Sequence, residues 1–149
     1  MKETVLVTGA SSGTGAAAAR FLHEHEFRVF GTTRALDPVP TSDFQMLSLD
    51  VTSDNPVREC VQKVLSQAGR LDILVSNAGY ALTGAAEETS VDEAKTQFET
   101  NFFGVVRMVD RGPADDAPGR CGQDHQPGIA RRVDGYPFHR VLLRHQVCA

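Results

Sequence analysis

Long apolar runs are missing from this chain. None approaches the roughly 20 residues that a membrane-spanning helix needs, so a membrane partner is not expected. An excess of positive charge is missing too. Lys and Arg total 15 against 19 Asp and Glu, for a net charge of −4. With no strongly basic face, nucleic acid is not an expected partner. Cysteine is scarce. Cys60, Cys121 and Cys148 are an odd set without framework spacing, which excludes a disulfide scaffold and suits a reducing cytoplasm. The opening Met1-Lys2-Glu3 runs straight into a strand pattern without the apolar stretch of a signal peptide, so a cytoplasmic location is expected. Cys121, His125, His139, His145 and Cys148 give the spacings Cys-x3-His and His-x5-His-x2-Cys. These match no common zinc pattern, and no metal is expected.

Residues 1–109 carry an ordered alternation. Thr4–Thr8 is an apolar β-rich run, suited to a strand buried on both faces of a parallel sheet. Gly13–Glu26 reads as a helix whose alanines, Ala16 to Ala19, allow close packing. Phe27–Thr33 is a second strand, ended by Arg34, and Asp37-Pro-Val-Pro40 is a turn or loop. Phe44–Leu49 is a third strand, closed by Asp50-Val51. Ser53 or Asp54 can then cap a helix with Pro56 in its first turn. In that helix Val57, Cys60, Val61, Val64 and Leu65 recur at helical spacing. Leu71–Ser76 is a fourth strand, running into Asn77-Ala78-Gly79. Ser90 with Glu93 forms a capping box for one long helix through Val109. The order β-α-β-β-α-β-α implies an α/β fold. It is a Rossmann-like doubly wound parallel sheet of about four strands, followed by an irregular C-terminal tail.

The turn Gly9-Ala10-Ser11-Ser12-Gly13-Thr14-Gly15 joins the first strand to the first helix. Such a turn sets backbone N–H groups and a positive helix terminus against a pyrophosphate. Two further motifs, Asp50-Val51 and Asn77-Ala78-Gly79, stand at the C-terminal ends of other strands. Those ends line the crevice where open α/β sheets bind ligands. Thr8-Gly-x-x-x-Gly13-x-Gly15, Asp50-Val51, Asn77-Ala78-Gly79 and Asn101 occur in this order over residues 3–109. The set resembles the short-chain dehydrogenase/reductase family, and four motifs in register are far more specific than one glycine motif.

The resemblance implies roles for these positions. Gly9, Ser11, Ser12, Gly13 and Gly15 would cradle the pyrophosphate of a dinucleotide cofactor. Asp50 and Val51 would border the adenine. Asn77, Ala78 and Gly79 would form the floor under the adenosine ribose. Asn101 would be the helix-kink Asn of a catalytic tetrad, holding a water in the proton relay. The substrate would be a small carbonyl or alcohol. The intact family forms homo-oligomers partly through the long helix, and the incomplete second half leaves that assembly open here. Cofactor choice also has a physical argument. An acidic residue at the end of the second strand would repel a 2′-phosphate. Here Thr33 and Arg34 stand there, and the Arg fork suits phosphate. NADP(H) is therefore preferred over NAD(H).

Residues 110–149 change character. They hold six Arg, no Lys, five Gly, four Pro and three His, with no lasting apolar period before Val141-Leu142-Leu143. Asp110, Asp115, Asp116, Asp124 and Asp134 nearly cancel the arginines, which speaks against a nucleic-acid arm. A Gly/Pro/Arg composition of this kind suits a disordered tail. The family needs a Ser and a Tyr-x-x-x-Lys here, yet the last lysine of the sequence is Lys95. Tyr136-Pro-Phe-His-Arg140 copies the spacing with Arg in the Lys place, and is read as coincidence.

Reading the underlying codons one base later from about residue 110 changes this. Asp115-Asp116 then specifies Met or Thr, and Gln146-Val147 specifies Lys or Arg. From Gly112 onward an allowed reading is VLPMMR, three loosely fixed positions, then (A/V)GKIINLASLAG(W/L)MVIPFIGYY(C/S)ATKFA. Most positions permit several residues, and none forces a contradiction. This string holds a buried strand, a Ser and a Tyr-x-x-x-Lys at family-like distances. The expectation is thus a frameshifted product of a short-chain dehydrogenase gene, truncated to its NAD(P)-binding half and inactive as written. The alternative is a non-catalytic NAD(P)-binding module, or an interaction partner of intact subunits.

Overall fold

A computed structural model describes residues 2–38, 41–84, 86–110 and 140–143. Four strands, β1 (Thr4–Val7), β2 (Arg28–Thr33), β3 (Gln45–Ser48) and β4 (Ile73–Ser76), lie parallel in the order β3-β2-β1-β4. Helix α1 (Gly13–Glu24) links β1 to β2, and α2 (Asp54–Ala68) links β3 to β4. Strand bounds fall one or two residues inside the apolar runs. The central strand β1 is buried along its whole length, as its unbroken Thr-Val-Leu-Val run requires in a sheet covered on both faces.

Strand alternation divides the core. Leu6, Phe30, Leu47 and Leu74 point to one face, where Val57, Cys60, Val61 and Val64 of α2 cover them. Val5, Val7 and Val29 point to the other, with Ala19 of α1 and Phe44. The pairing Val5↔Val29 and Leu6↔Phe30 keeps like faces together, because a one-residue slip would exchange them. Gly69 ends α2 in the left-handed conformation (φ 76°), its N–H donating to the Leu65 carbonyl at 2.8 Å. Ser53 occupies the N-cap position of α2, but its hydroxyl makes no capping bond.

The expected capping box is present. The Glu93 N–H donates to Ser90 Oγ, and the Ser90 N–H donates to Glu93 Oε2. The single long helix is not. The chain forms α3 (Val91–Phe98), a π turn (Glu99–Phe103) and α4 (Gly104–Asp110). A π turn holds an extra residue, and here it reconciles two contacts. Asn101 reaches out to the Tyr80 backbone, while Gly104 lies flat on Val51, where a Cβ would stand 2.7 Å from a Val51 methyl. Arg107 anchors α4 by ion pairs to Asp54 at the start of α2 and to Glu99.

The outer edge of β4 is paired: β5 (Arg140–Leu143) lies antiparallel to it, in the register Ile73↔Leu143 to Ser76↔Arg140. An unpaired apolar edge leaves amides and carbonyls without partners, and the apolar run Val141-Leu142-Leu143 meets that demand. The rest of the expected irregular tail lies outside the described residues.

Two outcomes follow from this packing. Burial pushes the Cys60 thiol up to about 12, so almost no thiolate exists near neutral pH. Peptide mapping after iodoacetamide treatment should find Cys60 unmodified in the native chain and modified in concentrated urea. Met108 is fully buried against α2 and the sheet. Met108→Ala should lower stability by about 2–5 kcal/mol in denaturant titrations, against about 0.5 kcal/mol or less for Phe102→Ala on the exposed side.

Candidate functional site

The C-terminal ends of β1, β2, β3 and β4 open into one cleft of about 580 Å³. All twelve dinucleotide-site residues read from the sequence line it: Gly9, Ser11, Ser12, Gly13, Gly15, Thr33, Arg34, Asp50, Val51, Asn77, Ala78 and Gly79. They come from four loops far apart in sequence, which only the parallel sheet brings side by side.

The first loop is shaped by backbone demands. Gly9 has φ 66°, a conformation that favours glycine. A Cβ on Gly9 would also stand 2.9 Å from the Ala78 Cα. At Gly15 a Cβ would fall 2.2 Å from the Gly9 carbonyl oxygen and 2.3 Å from Asn77 Nδ2. Only a bare Cα lets α1 start this close to the sheet. Ser12 stands at the N-cap position of α1, but its side chain makes no capping bond, and the first turn holds no acidic residue. The positive end of the helix is therefore left to act on the cleft.

Beneath these loops lies a polar layer in which Asn77 is joined by Thr8 and Thr32, two residues not among the site residues read from the sequence. Thr8 is buried, and its Oγ1 accepts from the N–H groups of Asn77 and Ala78, both at 2.9 Å. Asn77 Nδ2 donates back to the carbonyls of Thr8 and Gly9, both at 3.0 Å. Thr32 Oγ1 accepts from the Gly9 N–H at 3.2 Å, and the Thr32 carbonyl accepts from the Ala10 N–H at 2.8 Å. The available signal was a Thr near the C-terminal end of an otherwise apolar strand. Such a hydroxyl must find a partner once buried.

Around the rim, Asp50 Oδ1 accepts from the Thr52 N–H and Oγ1 at 2.9 and 2.8 Å, which turns the chain after β3. Arg34 forms no side-chain hydrogen bond or ion pair with the described residues, so its fork of donors is available at the cleft. Asn101 is not part of the cleft wall. Its Oδ1 accepts from the Tyr80 N–H at 3.0 Å and its Nδ2 donates to the Tyr80 carbonyl at 2.7 Å. It thus pins the loop after Gly79, where a Cβ would stand 2.8 Å from Asn101 Oδ1. Among the described residues no group of three or more His, Cys, Asp or Glu is placed to hold a metal. The five His and Cys weighed as zinc ligands lie outside them. No described helix is long and apolar enough to cross a membrane.

Comparison with known proteins gives consistent results. A family model described as short chain dehydrogenase matches residues 3–112. The 3-ketodihydrosphingosine reductase of Bacteroides thetaiotaomicron is 41% identical over 109 residues, covering 71% of this chain and 39% of that protein. The chain therefore spans about two fifths of the length of the curated relatives it matches. A short-chain dehydrogenase from Streptomyces avermitilis superposes with a TM-score of 0.68 at 37% identity, covering 74% of this chain and 43% of that one. ElxO with NADP bound gives a TM-score of 0.66 at 30% identity, covering 74% and 49%.

The polar layer generates a prediction. Thr8→Val keeps the shape but leaves two amides without their acceptor. A buried unsatisfied donor costs about 1–3 kcal/mol. Urea titration should show a loss of that order or more, and Thr8→Ser, which keeps the hydroxyl, should recover most of it. Equal stability of the Val variant would show that the Thr8 hydroxyl is not needed.

Proposed function

The chain belongs to the short chain dehydrogenase family, and from that membership we propose that residues 3–110 are a dinucleotide-binding half that takes NADP(H) in preference to NAD(H). The observation that carries the reading is the convergence of the glycine turn, the uncapped α1 terminus and Thr33-Arg34 on one cleft. Gly9 and Gly15 support this reading, since their lack of a Cβ lets α1 begin against Asn77 and the end of β1, with its first-turn amides at the cleft.

In this reading the first-turn amides of α1 and Ser11, Ser12 and Gly13 hold the pyrophosphate. Arg34 and Thr33 hold the 2′-phosphate, Arg34 through charge-assisted bonds. Asp50 and Val51 border the adenine, and Asn77 to Gly79 lie under the adenosine ribose. Bound nicotinamide supplies a hydride donor or acceptor for a secondary alcohol and carbonyl pair. This chain's own groups bind and orient it. Asn101 holds the loop after Gly79 through the Tyr80 backbone. No Lys follows Lys95, so no Tyr-x-x-x-Lys exists in residues 96–149 to move the proton. We therefore assign cofactor binding without turnover to the 149-residue chain, in the cytoplasm.

Fluorescence titration with NADPH and NADH tests this. NADPH should bind more tightly, and Arg34→Asp should weaken NADPH by about 10- to 100-fold, the range of one or two charge-assisted bonds. NADH affinity should change little. Tighter binding of NADH by the unsubstituted chain would overturn the preference. Hydride transfer from NADPH to any carbonyl would overturn the inactive assignment.

A further inference from the structure

The N-terminal ends of β1, β2 and β3 border a second cavity of about 550 Å³, at the end of the sheet opposite the dinucleotide cleft. Open α/β sheets place their ligands at the strand C-terminal ends, so this cavity is no part of the cofactor site. Its apolar wall is aromatic. Phe27 and Phe44 immediately precede β2 and β3, and Phe30 lies within β2. Small-molecule sites have this size and this mixture of aromatic wall and few polar groups.

The charge of the lining runs against that of the chain. Lys2, Arg28 and Arg70 stand on it with one carboxylate, Asp43, although the whole chain carries −4. Arg28 is fixed on two sides. Its Nη2 donates to the Gln67 carbonyl at 2.8 Å, and its guanidinium carbon stands 5.5 Å from the centroid of the Phe30 ring. Its remaining nitrogens make no hydrogen bond with the described residues, which leaves donors of the fork to spare. Arg70 is held by Asp72, and Asp43 Oδ1 accepts from Ser42 Oγ at 2.6 Å. Lys2 makes no hydrogen bond or ion pair with the described residues. His23, in the last turn of α1, completes the polar rim. Thr4 supplies the one hydroxyl of the lining. It is 1% exposed, and its Oγ1 makes no hydrogen bond with the described residues. A buried hydroxyl needs a partner, and a ligand in the cavity can supply one.

We infer that this cavity is a second ligand site and that it takes a small aromatic carboxylate. The flat apolar body lies against the Phe wall. The carboxylate meets the planar fork of Arg28, whose geometry matches two oxygens. Lys2 adds charge, and the Thr4 hydroxyl donates the bond it lacks. A cationic ligand would meet three like charges. A neutral aromatic would leave the donors of Arg28, Lys2 and Thr4 unmatched, at the cost of desolvating them. The inference is independent of the cofactor reading, since the two sites share no residue.

Titration of the isotope-labelled full chain with naphthoate, followed by two-dimensional amide NMR, tests this. The amide signals of Thr4, Arg28 and Gln45 should shift saturably, with a Kd of about 1 mM or tighter. Those of Gly13 and Asn77 in the dinucleotide cleft should stay in place. Naphthamide has the same shape without the charge, and acetate has the charge without the rings. Each should bind about tenfold more weakly or worse. Thr4→Val should weaken naphthoate about threefold or more. It should leave the urea midpoint of the free chain unchanged or higher, because the hydroxyl it removes has no partner there. Lys2→Glu, at an exposed position ahead of β1, should weaken naphthoate by about the same factor without touching the core. Absence of saturable shifts at these amides, shifts confined to the cleft or to the exposed Phe side chains of α3 and the π turn, equal binding of naphthamide, or undiminished binding by both variants overturns the inference.

Discussion

Asn77 and Thr8 bind the ends of β4 and β1 to each other in both directions. The Thr8 hydroxyl accepts two amides from the β4 side, and the Asn77 amide group donates to two carbonyls on the β1 side. These groups are removed from water, where an unmet donor is costly. The lock therefore has one low-energy arrangement, and that arrangement places Gly9 against Ala78 and Gly15 against Asn77. From it follow the start of α1, the direction of its free amides and the depth of the cleft. A side chain at Gly15 would push α1 away from the sheet and open the cradle.

The same organisation explains how a chain spanning about two fifths of its curated relatives' length can keep a cleft built from four strand-end loops. In open α/β sheets the ligand crevice is made by loops at the strand C-terminal ends. The four parallel strands supply those loops, and each face of the sheet has its own core. The loops at the strand ends are assembled by these four strands alone, while Phe98, Phe102, Phe103, Val106 and Val109 on α3, the π turn and α4 stay about half exposed.

Much of this was legible before any coordinates. The four strands, the helices α1 and α2 and the Ser90–Glu93 capping box were readable from residue pattern, because each rests on local rules: apolar runs, helical spacing and capping chemistry. The twelve cleft-lining residues were placed by motifs that resemble those of the family. The change of composition after residue 109 was equally plain, because composition needs no fold to be seen.

What required the tertiary structure was every feature set by two distant segments meeting. The π turn at Glu99–Phe103 arises because Asn101 and Gly104 must satisfy Tyr80 and Val51 together, and no helical period announces that. The buried roles of Thr8 and Thr32 exist only where β1, β2 and β4 touch. Pairing of Arg140–Leu143 with β4 answers a demand for backbone partners that the edge itself creates. Local propensity chose the elements along this chain. Long-range sterics and the need to satisfy buried polar groups decided where they bend, which hydroxyls matter and what covers the last edge.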